Sequence, residues 1–167
     1  AAAATLAELS AQSTRVIKGS IGTDGVLGDF KWSILSPTSS AIEAEDANDG
    51  SIVARWEEPG LVIYTMADLG EKGQMRLPNL SHPANTQVVL KVSHHGSADQ
   101  FPELIESMRP DVALISVGKD NGYGHPTSRT LKLLESVRAQ IYRTDLQGMI
   151  VLSRQNEAIL VATGAGG

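Results

Sequence analysis

Apolar positions along the chain follow two periods, and the switches between them mark the elements. "QVVLKV" (87–92) and "DVALISV" (111–117) are near-continuous apolar runs of strand length, the pattern of strands covered on both faces. Between them, Leu104, Ile105 and Met108 share one helical face over 98–108, with Pro102 in the first turn and Pro110 just beyond the end. Leu131, Leu134 and Val137 repeat that spacing over 128–138, behind a Thr127/Ser128 cap. This strand–helix–strand–helix run, continued by "QIYRT" (140–144), predicts a partly parallel sheet with helices on a face.

The flanks alternate differently. "SIVARWE" (51–57) and "LVIYTM" (61–66) bracket Glu58-Pro59-Gly60, a hairpin signal. "KWSIL" (31–35), "MIVLS" (149–153) and "AILVA" (158–162) predict further short strands, as does "TRVIKG" (14–19). Helices are expected over 3–12, with Leu6 and Leu9 on one face, and more weakly from Gly70 to Asn79. The Gly-rich stretch 20–30 predicts a loop, and the acidic "EAEDANDG" (43–50) a turn-rich segment. The overall class is α/β, in one domain over 1–167, with antiparallel additions at the ends.

Composition narrows the partners. A hydrophobic share of 41% with 20% charged residues excludes a disordered chain. Net charge is −5, so a polyanion such as DNA would need metal ions or a few placed basic residues to bind. The absence of cysteine excludes disulfides and thiolate zinc sites. No run of 18 apolar residues exists, so the chain itself is expected to be soluble. Its first residues lack the basic start and apolar core of a signal peptide. They read as a helix, as in a piece of a longer protein.

In open α/β sheets, sites form beyond the carboxyl ends of strands. Asp68 follows "LVIYTM", the pair His94-His95 with Gly96 and Ser97 follows "QVVLKV", and "GKDNGYGHP" with His125 follows "DVALISV". If these strands run parallel, a carboxylate and up to three imidazoles share one edge. That set suits a divalent cation such as Zn²⁺ or Mn²⁺, and two such cations can act on a phosphoryl group. Each residue also fits a plainer role. Asp68 suits a helix cap, the histidine pair one packed and one solvated ring, His125 a loop position, and Asn48 to Ser51 a turn.

Taken together, the segments resemble a known family. "VVLKVSHHGSADQFPELIESMRPDVALISVGKDNGYGHPTSRTLKLLES" is similar to the C-terminal half of the metallo-β-lactamase-like domain of ComEC-type competence DNA-uptake channel proteins. "IYRTDLQGMIVL", "NDGSIVARW" and "LVIYTMADL" extend the likeness over about residues 31–153. The resemblance implies an αβ/βα sandwich, of which this chain is the larger C-terminal portion. It implies Asp68 as a bridging metal ligand and one of His94 and His95 as a second, taken here as His95, with His94 at the substrate. His125 falls at a catalytic or phosphate-contacting position beside Tyr123. Ser51, Asn48, Ser97 and Tyr123 match substrate-facing positions, and Lys91 and Thr144–Asp145 match more weakly.

Two departures stand out. Ala67 replaces the glycine of the family's "GD", and nothing here resembles the H-x-H-x-D-H-type segment that supplies most ligands. The implied function is metal-dependent phosphodiester hydrolysis, degrading the DNA strand that is not imported, with two Mn²⁺ or Zn²⁺ ions in the complete domain. The chain alone is expected to bind metal weakly or not at all, with little activity. The implied setting is an extracytoplasmic domain of a bacterial inner-membrane protein, next to its channel portion. Self-association of a half-sandwich through exposed apolar surface is a further expectation. The rival expectation is a non-catalytic DNA-docking or structural module with a vestigial metal site.

Overall fold

The structure is a computed structural model and describes residues 2–12, 17, 19–37 and 47–164. A seven-stranded sheet organises them, with its strands in chain order. β1 (Asp24–Leu27), β2 (Phe30–Ser36), β3 (Val53–Glu58) and β4 (Leu61–Thr65) form an antiparallel meander. β5 (Gln87–Lys91), β6 (Val112–Ile115) and β7 (Gln140–Arg143) then continue from β4 in parallel. The parallel half is crossed by α2 (Glu71–Gln74), α3 (Pro102–Met108) and α4 (Ser128–Ser136).

Leu104, Ile105, Met108 and Leu134 of the helices pack on Val62, Tyr64, Val88, Leu90, Ala113 and Ile115 of one sheet face. Tyr64, Leu90 and Leu134 are fully buried there, and each such side chain contributes about 1.5–3 kcal/mol by leaving water. The other face holds a smaller cluster around Leu61, Val89 and Val112. Part of it lies against Leu152 and Ile159, from the separate hairpin of β8 (Ile150–Gln155) and β9 (Ala158–Thr163). The expected mixed α/β architecture is therefore present, with its parallel strands running the same way out of one core.

Several expectations change in detail. The stretch 20–30 is not all loop, because it contains β1. Gly25 pairs with Trp32, and a Cβ there would lie 2.6 Å from the indole, so the aromatic ring fills the space over the glycine. The helix from Gly70 is only the single turn α2, held by Gln74. The Gln74 amide donates to the Leu69 carbonyl at 2.7 Å, and its oxygen accepts from the Phe101 amide at 3.0 Å. The helix expected from residue 98 begins at Pro102, since Gln100 is buried and donates back to the Ser93 and Ser97 carbonyls. A short helix missed entirely, α5 (Thr144–Gln147), follows β7. The N-terminal helix is present as α1 (Ala2–Ala11), with the Leu6 side chain outside the described residues. The strand expected over 14–19 and the acidic residues 43–46 also lie largely or wholly outside them.

Candidate functional site

Three loops leave the carboxyl ends of β4, β5 and β6 at one edge of the sheet, where parallel α/β folds place their sites. After β4, Met66 and Leu69 are buried on either side of Ala67 and Asp68. These two anchors pin a tight turn, closed by the Leu69 amide donating to the Met66 carbonyl at 3.2 Å. The Asp68 amide donates to the Ser51 hydroxyl at 3.3 Å, and the carboxylate stays half-exposed. The Ala67 carbonyl accepts from the His94 amide at 2.9 Å, which ties this turn to the next loop.

After β5, Val92 and Ser93 are buried, and the Ser93 hydroxyl donates to the Leu69 carbonyl at 2.6 Å. His94 and His95 then take left-handed backbone conformations, φ 46 and φ 54, and Gly96 follows at φ 79. Ala67 is also left-handed, at φ 46. A non-glycine residue in this region costs about 1–2 kcal/mol, so these turns carry backbone strain. Both imidazoles reach the same cavity, and that of His95 turns toward Asp68.

His95 is the better fixed of the two. Its Nδ1–H donates to the Ser116 carbonyl at 2.6 Å, which fixes the ring and leaves Nε2 facing outward. That Nε2 faces Asp68 Oδ1 at 3.8 Å, beyond hydrogen-bond range. The His94 ring centroid is 6.3 Å from that of His95 and 5.6 Å from that of His125. Its Nδ1 is buried without a hydrogen-bond partner, so Nε2 is the atom it has for solvent or a ligand. The His125 Nδ1–H donates to the His94 carbonyl at 3.2 Å. Burial pushes the His125 imidazole below the ordinary histidine value, and the rings of His94 and His95 push the same way.

The third loop closes an open cavity of about 810 Å³, lined by Asp68, His94, His95, Tyr123, His125 and the stretch 117–122. Thr144 holds its base, accepting from the Val117 amide and donating to the Val117 carbonyl, both at 2.7 Å. Asn121 holds its tip. The Asn121 amide donates to the His125 carbonyl at 2.6 Å, and its oxygen accepts from the Tyr123 amide at 3.0 Å.

The structure thus brings Asp68, His94, His95, His125 and Tyr123 to one cavity, with Ser51 behind the Asp68 backbone. Asn48 and Ser97 are placed elsewhere. Asn48 belongs to the 3-10 turn Ala47–Gly50, which does not line the cavity. Ser97 is buried, and its hydroxyl accepts from the Asp99 amide at 3.3 Å; it caps the local turn, not the helix that follows, whose N-cap is Phe101. Ser116, Asn121 and Thr144 have structural parts that the sequence reading did not assign. Asn121 carried a usable signal, since an Asn between Asp and Gly marks a side-chain-stabilised turn. Ser116 acts through its backbone and carried none.

Among the described residues, no three His, Cys, Asp or Glu side chains are grouped closely enough to hold a metal ion. The donor pair of Asp68 and His95 nevertheless fits a share of such a site. A ligating histidine characteristically gives its other N–H to a backbone carbonyl, as His95 does to Ser116.

The fold and this edge define a class: a mixed α/β protein with an imidazole–carboxylate cleft at the carboxyl ends of parallel strands. Sequence comparison adds particular relatives. The chain is 34% identical over 129 residues to ComE operon protein 3 of Bacillus subtilis, covering 77% of this chain and 16% of that protein. It is 29% identical over 106 residues to Competence protein ComA of Neisseria gonorrhoeae, covering 63% of this chain and 15% of that protein. The likeness is to ComEC-type competence proteins, and the chain spans about a sixth of their length. No protein-family model matches the chain. Among the described residues, no helix is long and apolar enough to cross a membrane.

Proposed function

We propose that the chain carries part of the active site of a metal-dependent phosphodiesterase acting on DNA during competence-related uptake. In this reading the fold is of the metallo-β-lactamase type, and the remaining ligands come from outside the residues described. The observation that carries it is the Asp68–His95 pair at 3.8 Å, with the far nitrogen of His95 committed to Ser116. Asp68 and His95 would hold a divalent cation, Mn²⁺ or Zn²⁺. When bound, such a cation supplies Lewis acidity toward a phosphoryl oxygen and an acidified water.

The chain's own groups do the rest. Ser51 and the Met66–Leu69 turn hold the Asp68 backbone in place, and Ser116 fixes the rotation of the His95 ring. His125, with Nδ1–H committed to the His94 carbonyl, presents its second nitrogen to accept or return a proton at the scissile ester. His94 offers a hydrogen bond to a phosphate oxygen. The cation also offsets the negative charge of the chain where it meets a polyanion. A membrane channel portion of a longer protein would be the neighbour of this domain, as the family resemblance implies.

The test is hydrolysis of a DNA oligonucleotide with Mn²⁺, by the chain and by a longer protein carrying it. Asp68→Ala and His95→Ala should each lower the rate by at least a hundredfold without moving the thermal unfolding midpoint. Wild-type inertness in the longer protein, or full activity of Asp68→Ala, sinks the reading. A non-catalytic DNA-docking module would then stand in its place. Ala67, left-handed where the family has glycine, is the observation that favours that alternative.

A further inference from the structure

Tyr123 is the most exposed large hydrophobic residue among those described, at 89%. An aromatic ring left in water forgoes the burial that stabilises most of its kind, so its position calls for a reason. The ring stands at the mouth of the cavity that holds Asp68 and His95. Its centroid is 6.3 Å from that of His125, with the planes at 86°, so one ring meets the other edge to face. On both sides the chain is glycine. A side chain built at Gly122 or Gly124 would meet nothing within 4 Å, so the space flanking the ring is open. The exposure is also held in place, because Asn121 clamps the loop through the Tyr123 amide and the His125 carbonyl.

A rigidly presented aromatic face with open space beside it is what single-strand nucleic-acid sites use to stack a base. In a duplex, both faces of every internal base are already stacked on neighbours. We propose that Tyr123 is a stacking platform for an unpaired base, so that this site takes single-stranded or frayed DNA in preference to closed duplex. This rests on the phosphodiesterase reading and names its substrate class. The platform sets the nucleotide next to His125, with its phosphate directed to the Asp68–His95 edge. Tyr123 is thus a specificity-determining residue, and the ring face, not the hydroxyl, is what matters.

The experiment is steady-state hydrolysis and equilibrium binding with Mn²⁺, using a single-stranded oligonucleotide and a blunt hairpin duplex of the same sequence. Wild type and Tyr123→Ala, Tyr123→Phe, Tyr123→Trp and Tyr123→Leu are compared, in the chain and in the longer protein. Loss of one stacked base weakens binding by roughly tenfold or more. Tyr123→Ala and Tyr123→Leu should therefore raise KM and Kd for the single strand by about that factor. They should leave kcat, the weaker duplex binding and the unfolding midpoint nearly unchanged. Tyr123→Phe and Tyr123→Trp should restore wild-type values. Equal loss on both substrates, failure of Phe to rescue, or no effect of Ala overturns the platform while leaving metal-dependent hydrolysis standing. Wild-type protein that neither binds nor cuts DNA overturns both readings.

Discussion

Two cavities lie at opposite ends of the same strands, and each contains a histidine. At the carboxyl end, His95 commits Nδ1–H to the Ser116 carbonyl and points Nε2 at Asp68 with no hydrogen bond between them. At the amino end, a cavity of about 400 Å³ is bordered by Lys31, Arg55, Glu57, His82 and the turn 58–60. There the fully buried Tyr64 hydroxyl shares a hydrogen bond of 2.8 Å with His82 Nε2. Burial pushes that hydroxyl up to about 12, which keeps it protonated. Arg55 pairs with Glu57, and Arg154 with Glu58. Backbone strain separates the two histidine sites, though not the two ends as wholes, since Arg109 and Arg138 are left-handed just before β6 and β7. The β3–β4 turn beside His82 places a glycine there, Gly60 at φ 78, whereas His94 and His95 are themselves left-handed, as are Ala67 and Gly96. A histidine thus marks a site by what its nitrogens lack and by the strain that holds it, not by lying in a hollow.

The largest effect should separate the two glycines. Gly60 and Gly96 have nearly the same φ, 78 and 79, so alanine at either costs about 1–2 kcal/mol in backbone strain. Their surroundings differ. A Cβ on Gly60 would lie 3.0 Å from the tip of Arg154, a flexible neighbour. On Gly96 it would lie 2.6 Å from the Pro126 Cβ and 3.2 Å from its Cα, which cannot turn aside. Overpacking adds about 1–3 kcal/mol there. Urea unfolding should show Gly96→Ala losing roughly twice as much stability as Gly60→Ala, and only Gly96→Ala should also slow hydrolysis. Equal losses would mean that the site end is no more tightly built than the other.

Much of this was legible in the sequence where a period was repeated. The runs at 87–92 and 111–117 and the spacing of Leu104, Ile105, Met108, Leu131 and Leu134 specified the parallel half, because strands covered on both faces leave continuous apolar runs. The order of strand ends then placed Asp68, His94, His95 and His125 on one edge. What escaped was settled by single contacts. β1 depends on an indole covering Gly25, α2 stops because Gln74 bonds outward, and α5 leaves β7 at Thr144, whose hydroxyl latches Val117. Ser97 looked like a substrate residue and lies buried, since a Gly-Ser pair reads the same whether its hydroxyl faces a ligand or a local amide.

A middle-sized effect tests the amino-end cavity. His82→Leu removes the hydrogen-bond partner of a buried hydroxyl and should cost about 1–3 kcal/mol at pH 7.5, with hydrolysis unchanged. Burial, then the positive charge of Arg55, holds the His82 imidazole below its ordinary value of 6.5, with Glu57 opposing. The unfolded chain therefore takes up this proton first as pH falls. The stabilisation is complete above about pH 6.5 and is lost as pH drops from there toward the folded value. His125 is shifted the same way, so the measure is the difference in slope between wild type and variant. Wild type should lose more stability than His82→Leu between pH 7.5 and 5.5. Parallel curves would show that the Tyr64–His82 bond is not held against protonation.

The smallest effect bears most directly on strain at the site. Ala67 is exposed, and its side chain fills no core; its left-handed backbone is imposed by Met66 and Leu69 packing on either side and by its carbonyl accepting from His94. Ala67→Gly relieves about 1–2 kcal/mol of left-handed strain and costs about 0.5–1 kcal/mol through the freer unfolded chain. The net expectation is a gain of about 0.5–1 kcal/mol in urea unfolding, with the carbonyl bond to His94 intact and hydrolysis within twofold of wild type. A matching gain for alanine-to-glycine substitution at Ala54, in the regular strand β3, would trace the effect to something other than φ, since glycine in a strand interior destabilises. A loss at Ala67 would mean that the turn carrying Asp68 is held by its side-chain contacts and stores no strain, and the contrast between the two ends of the sheet would then rest on the histidines alone.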